Sequence, residues 1–391
     1  MIAFGSCHPQ DPCDAHREPI YRGRCIVDDM RALRSQGRLL ASLAAFHKWA
    51  LAVVTVLKLA LTFAVPGAYA DTIVLDRDFG IREYRPDNLT PGTVIDARKA
   101  RWVVDNCGWA GPKNAYPVQI ENAREGKLIG GIVTSRIPQR TEWSRSYCNS
   151  AAMMARKDSQ HFTFDGVRVD GAWDGIRFAA GDQSRGVVEN VWLTNIRDDC
   201  IENDQLATLT VRDSLLDGCF VGISIDPGAG GAPDNFESDT LIIDGVLMRI
   251  KAYPFKSASE IIPGSFIKPH DSSPAIAMKN SILAFDSTSK IMIRRMTKAW
   301  SKMKSCSNNT LLWLSDEPFP GDFPMPPPCF EIVKGQQAWR VWNDARADWL
   351  ARHPEVGRLE TDPAAGPDSA SGRNDLSFRA EKMLSAPAIG C

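Results

Sequence analysis

Four carboxylates fall within seven positions in Asn195-Ile196-Arg197-Asp198-Asp199-Cys200-Ile201-Glu202-Asn203-Asp204, and a strand that only packs has no use for them. In an extended chain Asp198 and Glu202 point one way and Asp199 the other, so a corner is needed to turn both aspartates to one outer wall. One run upstream, Asp174-Gly175-Ile176-Arg177 aligns with Asp199-Cys200-Ile201-Glu202. If the two runs are neighbouring strands, Asp174 lies about 5 Å from Asp199. Acids converging on one groove suit hydrolysis of a glycosidic bond. A carboxyl whose pKa is raised by like-charged neighbours protonates the leaving oxygen, while another activates water.

The elements that must hold these acids are short β-rich runs between Val94 and Leu283, broken by Gly, Asp and Asn, with no helical period among them. Phe162–Phe178, Val187–Ile201, Leu209–Ile225 and Leu241–Ile250 stack as a loose repeat that places Ile176, Ile201 and Ile223 at matched positions. A coil of this kind cannot bury its own apolar face, so the pattern predicts an all-β solenoid, a right-handed parallel β-helix with three sheets. Val167/Val169, Val191/Leu193, Val211/Leu215 and Ile243/Val246 are the expected inward residues. Gly166, Gly171, Gly175, Gly218, Gly222 and Gly245 are expected to supply positive φ at the corners. An antiparallel sandwich is the competing architecture, against which the register of the repeats argues. From Gln336 to His353 the apolar residues take helical spacing, and this helix is expected to cap the open end of the solenoid.

In order along the chain, Trp173-Asp174-Gly175, Asp198-Asp199-Cys200, Phe220-Val221-Gly222-Ile223-Ser224-Ile225 and Arg249-Ile250-Lys251 resemble the motifs of the polygalacturonase-like glycoside hydrolases, within the pectin lyase-like β-helices. The likeness covers about 80 of the 391 residues. It implies Asp174, Asp198 and Asp199 as catalytic acids, with Asp198 the proton donor. It also implies that Arg249 and Lys251 bind an acidic sugar, and Arg177 and Glu202 are grouped with them on the substrate side. Val221 stands where that family has a histidine, and Trp173 where it has a threonine.

Two other readings stay open. A polysaccharide lyase would use Arg197, Arg249 or Lys251 as base and Asp198, Asp199, Glu202 and Asp204 as calcium ligands, since hard oxygen donors suit that ion. A non-catalytic glycan-binding or envelope module needs no histidine, and Asp174, Asp198 and Asp213 would then serve as corner caps. Otherwise no cofactor or metal is expected.

With 46 Lys and Arg against 47 Asp and Glu, the net charge of -1 favours neither nucleic acid nor an anionic membrane. The partner expected is a polysaccharide, met by a monomer. Residues 1–70 read as an extension and signal peptide. Arg31, Arg34, Arg38 and Lys48 precede an apolar run from Trp49 to Ala64, and Ala68-Tyr69-Ala70 gives a cleavage site before Asp71. Met30 is an alternative start, and an uncleaved anchor the competing reading of the run. The protein is therefore expected to be secreted or periplasmic, with no stable membrane insertion after cleavage. Residues 71–355 form the solenoid with its cap, and 356–391 a flexible tail. Cys107 with Cys148 and Cys306 with Cys329 flank stretches a disulfide would staple, whereas Cys200 and Cys219 read as small buried residues.

Overall fold

A computed structural model describes residues 70–104, 114–140, 142–143, 150–179, 181, 184–227 and 239–357. The expected signal segment, Cys107, Cys148 and the tail beyond Gly357 lie outside them. Among the described residues no helix is long and apolar enough to cross a membrane.

The chain winds as a parallel β-helix. Sheets of nine, ten and six strands run alongside each other, and within each sheet strands from successive coils pair in parallel. The third sheet contains, in order, Val118–Glu121, Ala151–Arg156, Asp174–Ala179, Asp199–Asn203, Val221–Ile225 and Ser265–Pro269. Coils begin earlier and end later than the repeat suggested, from Thr72 to Lys334.

Stacked like residues build the core. Met153, Ile176, Ile201, Ile223 and Ile267 are register partners in the third sheet and have no exposed surface. Val133, Val169, Leu193, Leu216, Met248, Leu283 and Leu311 form the matching line in the second. Each such side chain contributes about 2 kcal/mol of apolar burial, which no single coil could supply alone.

Glycine serves two needs in these coils. Gly166 and Gly245 adopt φ of 64° and 68° at corners, as expected. Gly175 and Gly222 do not have positive φ. A Cβ on Gly175 would lie 2.4 Å from the Cys200 carbonyl oxygen, and one on Gly222 would lie 2.1 Å from the Met248 sulfur. These two glycines let the third sheet pack closely beside the acids.

Two helices flank the coils. The helix Gly335–Arg352 does not close the end of the solenoid. It lies along the outer face of the second sheet, where Ala338, Trp342, Trp349 and Leu350 cluster with Trp192, Leu215, Leu247 and Leu312. Leu215 is therefore buried on the outside of its sheet, beneath this helix, not inside the coil as its alternation suggested. The last strand of the third sheet, Ser265–Pro269, is covered by a helix the periodicity did not reveal, Lys290–Ser301. Ser289 caps it by accepting from the Met292 N–H at 3.0 Å. Met292, Met296 and Ala299 enter the solenoid core.

Cys306 and Cys329 are bonded, as their flanking positions suggested. Cys200 and Cys219 form a second disulfide inside the core, tying adjacent coils directly behind Asp199.

Candidate active site

Two register lines on the outer side of the third sheet carry its chemistry. The first runs Ala151, Asp174, Val221, Ser265, with Asp199 paired to Val221 in the coil after Asp174. The second runs Met154, Arg177, Glu202, Ser224, Lys268. The corner just before Asp199 brings Asp198 to the same wall, with its backbone N–H donating to the Trp173 carbonyl. One carboxylate oxygen each from Asp174, Asp199 and Glu202 lies within 4.8 Å of the others, so three of the acids selected from sequence meet.

The carboxylates hold one another's protons. Burial, then Glu202, Asp198 and Asp199, push Asp174 well above the ordinary carboxylate range. Burial, then Asp199, raise Asp198 to about 6, against the opposing pull of Lys268, a hydrogen bond from Trp143, and Arg295. Burial, then Asp199 and Asp204, raise Glu202 to about 8 despite Arg177. Cations partly offset this crowding. Lys268 Nζ stands 2.9 Å from Asp199 Oδ2, and Arg177 Nε stands 3.2 Å from Glu202 Oε2. Arg177 also grips Asp204. Burial disfavours both cations, yet the surrounding acids outweigh it and raise Lys268 and Arg177 above their usual values.

Asp174, Asp199 and Glu202 bring oxygens close enough to share a cation, but two of these acids already have cationic partners. Lys268 and Arg177 contact those two, while Asp198 and Asp204 accept from Trp143 and Arg177.

Sequence reasoning missed Lys268, Trp143, Arg295 and Tyr116. Trp143 Nε1–H donates to Asp198 Oδ2 at 3.2 Å. Arg295 reaches the field of Asp198 and Asp199 from the helix over the last strand, and Tyr116 faces Arg177, Asp174 and Glu202. Lys268 follows Ser224 by 44 residues, about double the usual coil, because the chain is lengthened both between Ile225 and Thr240 and by the antiparallel pair Tyr253–Pro254 and Ile261–Ile262. That lengthening hides the register. Trp143 stands apart from the repeating strands and has no periodicity to betray it.

No protein family model, curated protein or solved structure matches this chain.

Arg249 and Lys251 do not join the acids. Arg249 pairs with Asp217 at 2.6 Å on the outer side of the second sheet, beside Trp339 and Trp342 of the flanking helix. Lys251 Nζ donates to Asn195 Oδ1 at 3.3 Å and lies over the Tyr253 ring. Arg197, the remaining base of the lyase reading, is fully buried and donates to the Pro254 carbonyl. Val221, opposite Asp199, has no exposed surface and packs with Phe220 and Tyr253. The three described histidines lie elsewhere, His161 at a corner with φ of 57°, His270 against Ser272 and His353 against Asp213.

Proposed function

We propose that this chain is an exported glycoside hydrolase of the polygalacturonase-like kind, acting on an acidic polysaccharide. One observation carries the reading: Asp198 is partly exposed, holds its proton up to about pH 6, and sits beside Asp199, which is paired to Lys268. A proton donor next to a carboxylate held by a cation is the division of labour that glycoside hydrolysis needs.

In this reading Asp198 gives its proton to the glycosidic oxygen as the bond from that oxygen to the anomeric carbon breaks. Water attacks the anomeric carbon and passes a proton to Asp199, whose Oδ1 is buried and accepts no hydrogen bond among the described residues. Solvent then reprotonates Asp198 and takes the proton from Asp199. Arg177 keeps Glu202 and Asp204 in place. The two disulfides among the described residues suit a secreted or periplasmic protein.

A second reading has its own support. Asp174 and Asp199 are only 4% and 1% exposed, and Val221 supplies no titratable group opposite Asp199. A glycan-binding module would tolerate both features. Incubating the protein with acidic and neutral polysaccharides decides between them. The hydrolase reading expects new reducing ends that Asp198→Asn abolishes. Binding without reducing ends supports the module, and products absorbing in the ultraviolet would mean elimination and overturn the hydrolase.

A further inference from the structure

An aromatic group borders the acids on one side. Its lower layer is buried: Trp173 precedes Asp174, and Phe220 precedes Val221. Its upper layer is partly exposed and consists of Trp143 and Phe255. The Trp143 ring stands 5.7 Å from Trp173 and 6.4 Å from Phe255, and Phe255 stacks on Phe220 at 5.9 Å.

Backbone geometry fixes this layer above Asp198. The Trp143 N–H donates to the Phe255 carbonyl at 2.8 Å, so Trp143 is tied to the inserted hairpin near Tyr253–Pro254. The same tryptophan gives its indole N–H to Asp198 Oδ2, at 3.2 Å. One carboxylate oxygen is thus held, and the other accepts no hydrogen bond among the described residues.

A partly exposed pair of rings meeting a protonated carboxyl is an amphipathic surface. Aromatic faces carry negative charge and attract weakly positive C–H groups. A pyranose ring presents such a C–H face on one side and polar oxygens at its rim. Laid on the rings, it would direct its glycosidic oxygen toward the neighbouring acid. A phosphate group, anionic and without a C–H face, would gain nothing from the rings.

We infer that Trp143 and Phe255 form the shelf that receives the sugar ring beside the scissile bond, and that the Trp143 indole N–H positions Asp198. The inference rests on the hydrolase reading above. The two residues contribute separably, because one acts through the acid and the other only through contact.

Kinetics of the full chain across pH test this. Trp143→Phe keeps a ring but removes the donor that favours ionised Asp198. Its alkaline limb therefore moves to higher pH, with kcat lowered about tenfold and KM changed less than about threefold. Phe255→Ala raises KM about tenfold and leaves the limb in place. The inference is overturned if the Trp143→Phe limb stays at the wild-type pH, or if Phe255→Ala leaves KM within about twofold. A check without turnover uses Asp198→Asn protein and an oligosaccharide of the cleaved polymer, followed by tryptophan fluorescence. Adding Phe255→Ala should weaken that binding about tenfold, and equal affinity refutes the shelf. Loss of activity in Asp198→Asn alongside wild-type behaviour of both aromatic variants sinks this inference alone. Full activity in Asp198→Asn sinks the hydrolase reading beneath it.

Discussion

On the outer face of the second sheet, Asp217 lies between Arg249 at 2.6 Å and Arg346 at 2.9 Å, the latter reaching over from the flanking helix. Burial pushes this carboxyl up, yet the two guanidinium groups outweigh burial and hold it below its ordinary value. On the third sheet, Asp174, Asp198, Asp199, Glu202 and Asp204 share Arg177, Lys268 and Arg295, and the shifts of Asp174, Asp198 and Glu202 all run upward. The same solenoid therefore buries charge in two ways. Where the charge only anchors a helix, cations exceed acids and the network is satisfied. Where acids exceed cations, protons make up the difference, and a group that holds a proton near neutral pH is available for chemistry. This contrast separates an anchor from a candidate site better than counting buried acids would.

The largest expected effect breaks the anchor. Asp217→Ala leaves Arg249 and Arg346 facing each other without their acid, and removing one member of a buried ion network costs about 3–5 kcal/mol. Denaturant unfolding should register that loss, while turnover per folded molecule stays near wild type. Equal stability would show that Trp342, Trp349 and Leu350 hold the helix unaided.

Asp198→Asn comes next and should invert the pattern. Losing a general acid lowers kcat by about 100-fold or more. Stability should hold or rise slightly, because one of several crowded carboxyls has become neutral. In the wild type, kcat/KM should fall as pH rises through about 6, where Asp198 gives up its proton. If Asp198→Asn unfolds the protein, the acids are corner caps and the contrast between the two faces collapses.

The contrast also explains what the sequence disclosed. Matched isoleucines about one coil apart exposed the ladder, because burial forces like residues onto one axis at a near-constant spacing. The acids of the third sheet were legible for the same reason: Arg177 and Glu202 are register partners, as their alignment required. Arg249 was assigned to the sugar because its motif order resembled a family. Its own register partner is Asp217, one coil earlier in the second sheet, and so it faces the helix rather than the acids. Extending the repeat through Leu215 and Leu247 would have revealed this, since those residues also pair. Lys268 and the Cys200–Cys219 bond were not legible. An insertion broke the spacing of the first, and apolar surroundings gave the second the look of ordinary core residues.

A smaller effect concerns pH. Glu202 binds its proton more tightly in the folded chain, with a pKa of about 8 against an ordinary 4.5. Below about pH 4.5 both states are protonated and nothing is lost. Between there and about 8 the unfolded chain ionises while the folded one cannot, so wild-type stability declines as pH rises. Glu202→Gln should flatten that decline in melting temperature across the same window. An unchanged slope would mean that Arg177 balances the cluster after all.

The smallest effect tests a position outside both networks. Asp213 sits at a corner with φ of 38°, and its side chain is 43% exposed. It meets Arg352 at 3.4 Å and His353 at 3.2 Å, where the flanking helix ends. Trp349 Nε1–H donates to its backbone carbonyl at 3.2 Å, a contact that any residue there would retain. Asn tolerates the left-handed corner as well as Asp does, so Asp213→Asn introduces no backbone strain. What remains is a solvent-screened ion pair, worth less than about 1 kcal/mol. Activity should be unaltered, and salt should erase most of any stability difference, because exposed pairs are screened within a Debye length. A loss as large as that of Asp217→Ala would place Asp213 inside the anchor and redraw its boundary. A loss of turnover would carry the site across two sheets, which the division between balanced and unbalanced charge does not permit.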